Sequence, residues 1–526
     1  MTRRLLLITL TCLLAACASA PPVPVPGVTI LHLNDTYRID AVEDGSAGGF
    51  GRVATLIRRL ESEGRSVLLT HGGDFLYPSL ESQLWDGAQM IEAFNYLDAL
   101  APLIVVPGNH EFDRRTPEAI VNAVRASNFT WLGDNYALRT GDPAVDARPQ
   151  AGYVLEAGGL RLGFVALTNH AEDGGNERDY VPIDRDYAGS ARRVLSSFGS
   201  DVDVILGLTH LNLDNDREVA GLRAEFPRFR LIVGGHEHEP EYEPGTATTA
   251  TILKGASNAR VIWRIDIEPV GGAPRIETAR VAIDESLPSD PLYDAIAARW
   301  RAQLLEKIPY LEAKIGEAAL PLDGREVAVR NEASNWGSFI ADQMRGAFGE
   351  PSELAFVNGG TLRVDDYIMG DITFEDVGRT FGFSSWLRHM RIDGADFRAL
   401  LEAGYRGSGP SKGYFPQVSG FRICVDRGRP GGERIVSLQV PADGGWREIE
   451  PQREYTLVAP DYLYRGGDGY DFSAAREVSR RGSELKYLVV DAIVRAQAAG
   501  RKIGEPTDPV NPRIVILDAE RRACWL

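Results

Sequence analysis

Five apolar runs in the first half of the chain each stop on a cluster of residue types that bind metals. Residues 28–33 end at Asn34-Asp35, and 67–70 run into His71-Gly72-Gly73-Asp74. Residues 103–106 deliver Pro107-Gly108-Asn109-His110-Glu111-Phe112-Asp113, 204–208 deliver Thr209-His210, and 231–233 deliver Gly234-Gly235-His236-Glu237-His238. Short runs of Val, Leu and Ile followed by turn residues predict buried strands. In open α/β sheets, ligands gather beyond the carboxyl ends of such strands. Strand ends that converge on Asp, Asn and His therefore predict a polynuclear metal site, the chemistry of a hydrolase.

A length of 526 residues exceeds what one core supports and predicts two domains. The net charge of -17, with no basic stripe to offset it, argues against binding a nucleic-acid polymer. An acidic enzyme still takes an anionic substrate where metals and a few arginines supply a local positive field.

Arg3-Arg4, the apolar stretch 5–14 and the small residues after it read as a processing signal too short to span a bilayer. Leu14-Ala15-Ala16-Cys17 looks like a bacterial lipobox. It predicts cleavage after residue 16, a lipid on Cys17 as the only membrane contact, and a stiff Pro-rich tether over 17–27. The protein would then sit in a bacterial cell envelope, facing the periplasm or the cell surface. An ordinary secretory signal cut after Ala18 or Ala20 is the alternative. Cys424 and Cys524 remain once the leader is set aside, either as a disulfide or as two buried thiols.

From residue 28 to 285, strand-like runs alternate with amphipathic segments such as Val53, Leu56, Ile57 and Leu60. Prolines and charges over 284–291 mark a boundary. A helix over 292–312, with Leu292, Ile296, Trp300, Leu304 and Leu305 on one face, is expected to join two domains. A second set of strands and helices follows over 313–526.

A dinuclear site needs one ligand that bridges two cations about 3.5–4 Å apart, usually a carboxylate. Asp74 can approach closely because Gly72 and Gly73 carry no side chains. Asn109, His210 and His236 complete a second-metal shell with it, while Asp35 and His238 contribute to the first metal. His236 and His238 are two residues apart and both reach inward only from an irregular loop, which Gly234-Gly235 permits. Two divalent ions are expected, and His with carboxylate donors suits zinc or manganese.

Asn34-Asp35, Gly72-Gly73-Asp74, the 108–113 segment, Thr209-His210 and the 234–238 segment together resemble the motifs of calcineurin-like metallophosphoesterases. Asn358-Gly359-Gly360-Thr361-Leu362-Arg363 and Gly466-Gly467-Asp468-Gly469-Tyr470 resemble the C-terminal domain of bacterial and animal 5'-nucleotidases and UDP-sugar hydrolases. The resemblance implies an α/β chain, α+β by strict layering. Its N-terminal part would be a four-layer β-sandwich flanked by helices over 28–285, followed by a connecting helix over 286–312 and a C-terminal α/β substrate-binding domain over 313–526.

The resemblance also implies roles. His110 would stabilise the transferring phosphoryl group or protonate the leaving oxygen, oriented by Asp113. The plainer reading of Asp113 is a helix N-cap at the start of 114–123. The nucleophile would be a water activated by the two ions. Phe383 and Tyr470 match aromatics that sandwich a base, and Arg330, Asn358 and Arg363 match residues that hold polar groups of the substrate. Trp386, beside Phe383, fits a core aromatic.

Two departures stand out. The family's Asp-x-His at the first motif is Asp35-Thr36-Tyr37 here, so Tyr37 either ligates the first metal through oxygen or fills the space. The aromatic motif Phe-Pro-Phe-Gly-Asn is Phe381-Gly382-Phe383-Ser384-Ser385, which removes an amide near the base. The expected activity is hydrolysis of a 5'-nucleotide to nucleoside and phosphate. UDP-sugar hydrolysis, 2',3'-cyclic nucleotide hydrolysis and a related thiosulfohydrolase reaction are the alternatives, with a non-catalytic nucleotide-binding surface lipoprotein as the rival from another class.

Overall fold

The computed structural model describes residues 24–169, 178–407, 412–479, 483–504, 512–518 and 521–525. The lipobox and its Cys17 lie outside the described residues. No helix among the described residues is long and apolar enough to cross a membrane.

Two six-stranded sheets stack in the first half. One runs in the order 275–282, 261–268, 28–33, 66–71, 103–105, 130–131, and the other 153–157, 160–168, 204–210, 229–234, 251–254, 241–243. Strands 28–33, 66–71, 103–105 and 130–131 are parallel to one another, as are 160–168, 204–210, 229–234 and 251–254. The flanking strands of both sheets pair antiparallel. Side chains alternate across each strand. Val28 and Ile30 meet Leu206, Leu208, Leu231 and Val233 in the core between the sheets. Leu31, Leu33, Val67 and Leu69 face the opposite way, into helices Phe50–Ser62 and Ala88–Asp98. Ile205 and Ile232 pack outward under the helices of the other side. The four layers expected from the sequence are present. Apolar residues on both strand faces are what a sheet covered on both sides requires.

The parallel strands end level with one another. Leu33 pairs with His71, His71 with Val105, and Thr209 with Gly234. The five loops carrying the candidate ligands therefore leave from one rim.

The helix after the boundary is Pro291–Lys307, shorter than the 292–312 expected, and of the expected face Trp300, Leu304 and Leu305 pack inward while Leu292 does not. Tyr293, Trp300 and Leu304 turn inward while Leu292 is 64 % exposed. Its start is set by Asp290, whose carboxylate accepts from the Leu292 N–H, and by Pro291 in the first turn. The second half has a five-stranded sheet (416–419, 354–358, 454–460, 387–393, 476–479) and a four-stranded one (445–448, 435–442, 422–426, 514–517). Cys424 and Cys524 form a disulfide with their Cα atoms 5.5 Å apart.

The second half closes over the rim of the first. Arg38 pairs with Asp366, Asp365 accepts from Asn258 Nδ2 at 3.0 Å, and Glu326 accepts from Ser257 Oγ at 2.8 Å.

Candidate metal centre and the cleft above it

Asp74 stands at the middle of the site. Its loop folds tightly because nothing larger than hydrogen fits around it. A Cβ on Gly108 would lie 2.1 Å from Asp74 Oδ1, and one on Gly73, at φ +82°, would lie 2.4 Å from the Gly108 nitrogen. Asp74 Oδ1 accepts from the His110 N–H at 2.9 Å. Its Oδ2 lies 3.3 Å from His210 Nε2 and 3.3 Å from the Tyr37 hydroxyl, so one oxygen faces both groups of donors.

On one side, His210 Nδ1 is 2.6 Å from the Gly72 carbonyl, which fixes that nitrogen as the N–H donor and turns Nε2 toward Asp74 and Asn109 Oδ1, the latter at 3.2 Å. The His236 ring lies 5.2 Å from that of His210, centre to centre. On the other side, Asn34 Nδ2 and the His236 N–H both donate at 2.8 Å to Asp35 Oδ2. That leaves Asp35 Oδ1 facing His238 Nε2 at 3.3 Å and the Tyr37 hydroxyl at 3.4 Å. His238 Nδ1 is 2.8 Å from Glu326, a residue of the second half. Asp35, Asp74, His236 and His238 all have positive φ, at 51°, 61°, 88° and 66°.

Asp35, Asp74 and His210 place ligand atoms within 4.8 Å of one another, all buried. Burial alone would raise the carboxylate pKa values. The nearby imidazoles outweigh it and hold Asp35 and Asp74 well below the usual range. His210 is pushed up to about 10: burial opposes its charge, but the Asp74 carboxylate prevails. Buried carboxylates, imidazoles and an amide oxygen around Asp74 fit a divalent cation.

His110 sits at the cleft with Nδ1 2.8 Å from Asp113 Oδ2. Burial would lower its pKa, but Asp113 and then Asp74 raise it above the ordinary value. The helix that follows is Glu118–Ala126 with Pro117 before it, so the N-cap reading of Asp113 does not hold.

The second half supplies part of the cleft. Arg363 Nη2 lies 3.5 Å from His110 Nε2, and Phe383 stands 5.5 Å from the His110 ring. The other residues expected there are engaged elsewhere. Arg330 is buried and paired with Glu326 at 2.8 Å, and Asn358 Nδ2 donates to Asp468 at 2.7 Å. Tyr470 is corrected: it is fully buried against Phe356, with its hydroxyl donating to the Tyr414 carbonyl at 2.7 Å, so it offers no open face opposite Phe383. Trp386 is corrected in the opposite sense, being 51 % exposed rather than in the core.

Three features escaped the sequence reading. Glu111, quoted in its motif without a role, accepts the N–H groups of Asp74, Phe75, Leu76 and Gly108 and so fastens the Asp74 turn to the His110 loop. Burial and then the Asp74 charge push its pKa to about 7. Lys254 is fully buried between Asp216, at 2.7 Å, and Glu237, which in turn holds the Leu213 N–H at 2.7 Å. It ties the His210 loop to the His236 loop from behind. His71, at a strand end like the others, is no part of the ligand cluster: it packs on Phe75 and Phe94 and accepts from the Gly73 N–H at 3.1 Å. Glu326, which meets His238 Nδ1, escaped it too, and the one signal that could have found it is its spacing of four from Arg330, which a helix turns into a contact.

Residues 28–240 match the family model of the calcineurin-like phosphoesterases, and residues 314–476 match that of the 5'-nucleotidase C-terminal domain. The fold and the site thus define a calcineurin-like phosphoesterase. Carrying both domains, the chain belongs to the 5'-nucleotidase family of phosphoric ester hydrolases. It is 22 % identical to the 5'-nucleotidase of Bos taurus over 89 % of this chain and 88 % of that protein. It is 24 % identical to the snake venom 5'-nucleotidase of Naja atra, over 89 % and 96 %. The solved 5'-nucleotidase precursor of Thermus thermophilus shares the fold at a TM-score of 0.77 and 22 % identity, covering 93 % of this chain and 99 % of that one. A Thermus thermophilus sulfate thiohydrolase, SoxB, shares it at 0.72 and 18 %, covering 95 % and 98 %.

Proposed function

We propose that this chain hydrolyses 5'-nucleotides to nucleoside and phosphate, with residues 28–285 holding two cations and 313–526 holding the nucleoside. One observation carries the reading: His110, oriented by Asp113, stands between the Asp74 cluster of the first half and Arg363 and Phe383 of the second. Phosphoryl chemistry on one side and an aromatic surface with a guanidinium on the other suit a phosphate ester with a planar base. Relatives named 5'-nucleotidases support that substrate class.

When bound, the cations supply Lewis acidity and a water nucleophile at neutral pH. Asp74, Asn109, His210 and His236 would hold one, and Asp35, Asp74 and His238 the other. His110 then donates a proton to the leaving oxygen, Asp113 fixes its Nδ1–H, and Arg363 draws phosphoryl oxygens toward it. Phe383 stacks the base from one side. Phosphate release with added manganese or zinc across a nucleotide panel tests this reading. Turnover of at least one 5'-monophosphate is expected, and failure on all of them refutes it. The lipid on Cys17 is proposed on the same footing, and absence of radiolabelled palmitate from the purified full chain refutes it.

A further inference from the structure

Phe383, the ring beside His110, is carried by a short loop that leaves helix Phe374–Thr380 at Phe381. The last carbonyls of a helix have no partner within it. Here a side chain of the first half supplies one. Gln83, on helix Leu80–Trp85, donates from Nε2 to the Phe381 carbonyl at 3.1 Å and to the Gly382 carbonyl at 2.6 Å. An amide nitrogen carries two N–H groups, so both bonds can form together. Beyond the ring, the Ser385 carbonyl accepts from the Leu485 N–H at 2.7 Å. Phe383 is thus held between two anchored stretches of backbone, one of them fastened to the first half.

The packing around Gln83 confines the loop further. A Cβ on Gly382 would lie 3.1 Å from Pro78 Cβ, and one on Gly378 would lie 3.4 Å from Leu80 Cδ2. Proline, which the family motif has at 382, would press its own Cβ into that first contact. Glu81 pairs with Arg379 at 3.0 Å, with both side chains largely shielded from solvent. Leu80 and Glu81 dock one helix on the other, whereas Gln83 reaches past the helix to the loop. The Phe383 ring then stands 5.5 Å from the His110 ring and 5.4 Å from Arg363 Cζ. A stacking face serves only where its distance from the phosphoryl site matches the length of the substrate, and shifts of about 1 Å are felt.

We propose that Gln83 is a positioning residue for nucleotide binding: by fixing the Phe381 and Gly382 carbonyls it sets the distance between the stacking face of Phe383 and the phosphoryl site at His110. The inference rests on the base-stacking reading above and adds to it a residue of the first half. Without the amide, the loop adopts the competent position for only a fraction of the time, and affinity falls by that fraction. The loss cannot exceed what removal of the ring itself costs.

The test compares Gln83→Met, which keeps the length of the side chain but has no N–H, with Gln83→Glu, whose carboxylate faces the two carbonyls. Each full-length protein is assayed with added manganese on the 5'-monophosphate turned over fastest and on p-nitrophenyl phosphate. In Gln83→Met, KM for the nucleotide should rise roughly two- to tenfold, the worth of a hydrogen bond, at unchanged kcat. Gln83→Glu should raise it further. Neither constant for p-nitrophenyl phosphate should move, because that ester has no nucleobase to place. In a Phe383→Ala background, Gln83→Met should add nothing. An unchanged nucleotide KM in both Gln83 variants overturns the proposal. So do equal losses on the two substrates, or a full further rise in the Phe383→Ala background, either of which makes Gln83 merely structural. If Phe383→Ala itself leaves the nucleotide KM alone, the base-stacking reading falls and this inference with it. If Phe383→Ala raises KM while both Gln83 variants are inert, this inference alone falls.

Discussion

In the first half of the molecule, the candidate ligands stand on loops whose glycines let backbone pack against backbone, and Asp35, Asp74 and His210 bring their ligand atoms within 4.8 Å of one another. In the second half, the residues expected to hold substrate are divided. Arg363 and Phe383 reach His110, whereas Arg330, Asn358 and Tyr470 are occupied by Glu326, Asp468 and Phe356. The first surface is preorganised by its own loops and, at His238, by Glu326 of the second half. Metal chemistry and substrate recognition should therefore respond differently to mutation.

The largest effect is expected at the carboxylate that both groups of donors face. Asp74→Asn should abolish turnover and lower cation content, because it removes the anionic link between two mutually repelling ions. Full activity with undiminished cation content would break the assignment. Next, His110→Ala should lower kcat by about 10²–10⁴-fold with cation content unchanged. A loss of cations in that variant would make His110 a ligand.

The contrast between the halves is sharpest at the two aromatics. Tyr470→Ala should cost about 3–5 kcal/mol of stability, as removal of a buried ring does, and lower the melting temperature. Phe383→Ala, at a half-buried position, should leave the melting temperature nearly unchanged. It should raise KM for nucleotides, with p-nitrophenyl phosphate hydrolysed as before. A Tyr470→Ala protein that melts normally but loses nucleotide affinity would show that the ring turns out to meet substrate.

The smallest effect is one of pH. His210, pushed up to about 10, carries a proton that a cation must displace. Cation affinity should weaken by roughly tenfold for each unit that pH falls below that value, with proton release visible in titration calorimetry in buffers of different ionisation enthalpy. An affinity independent of pH would remove His210 from the ligand set.

The metal side was legible because its signals are local: an apolar run, a glycine and a ligand-type residue within a few positions. Asp35, Asp74, Asn109, His210, His236 and His238 could all be named as candidates that way, and the structure gathers Asp35, Asp74 and His210. Glu111 could not, since its task is to accept N–H groups 35–37 residues upstream, a relation that only the packed rim creates. Glu326 meets His238 across 88 residues for the same reason. The errors at Trp386 and Tyr470 share a physical cause. An aromatic residue in a short motif shows its identity in the sequence but not which way its ring faces. The core around Phe356 decides that.

The Cys424–Cys524 bond closes a loop of 100 residues around the stretch that includes Asp468 and Tyr470. In the chain-entropy account, such a loop withdraws about 4.7 kcal/mol of freedom from the unfolded state. That is a large share of the roughly 5–15 kcal/mol by which folded proteins exceed their unfolded chains. Such bonds persist where the surroundings are oxidising and are rare where glutathione keeps thiols reduced. The redox state of the surroundings therefore sets how firmly the second half stays folded, while the metal loops of the first half contain no cysteine to register it.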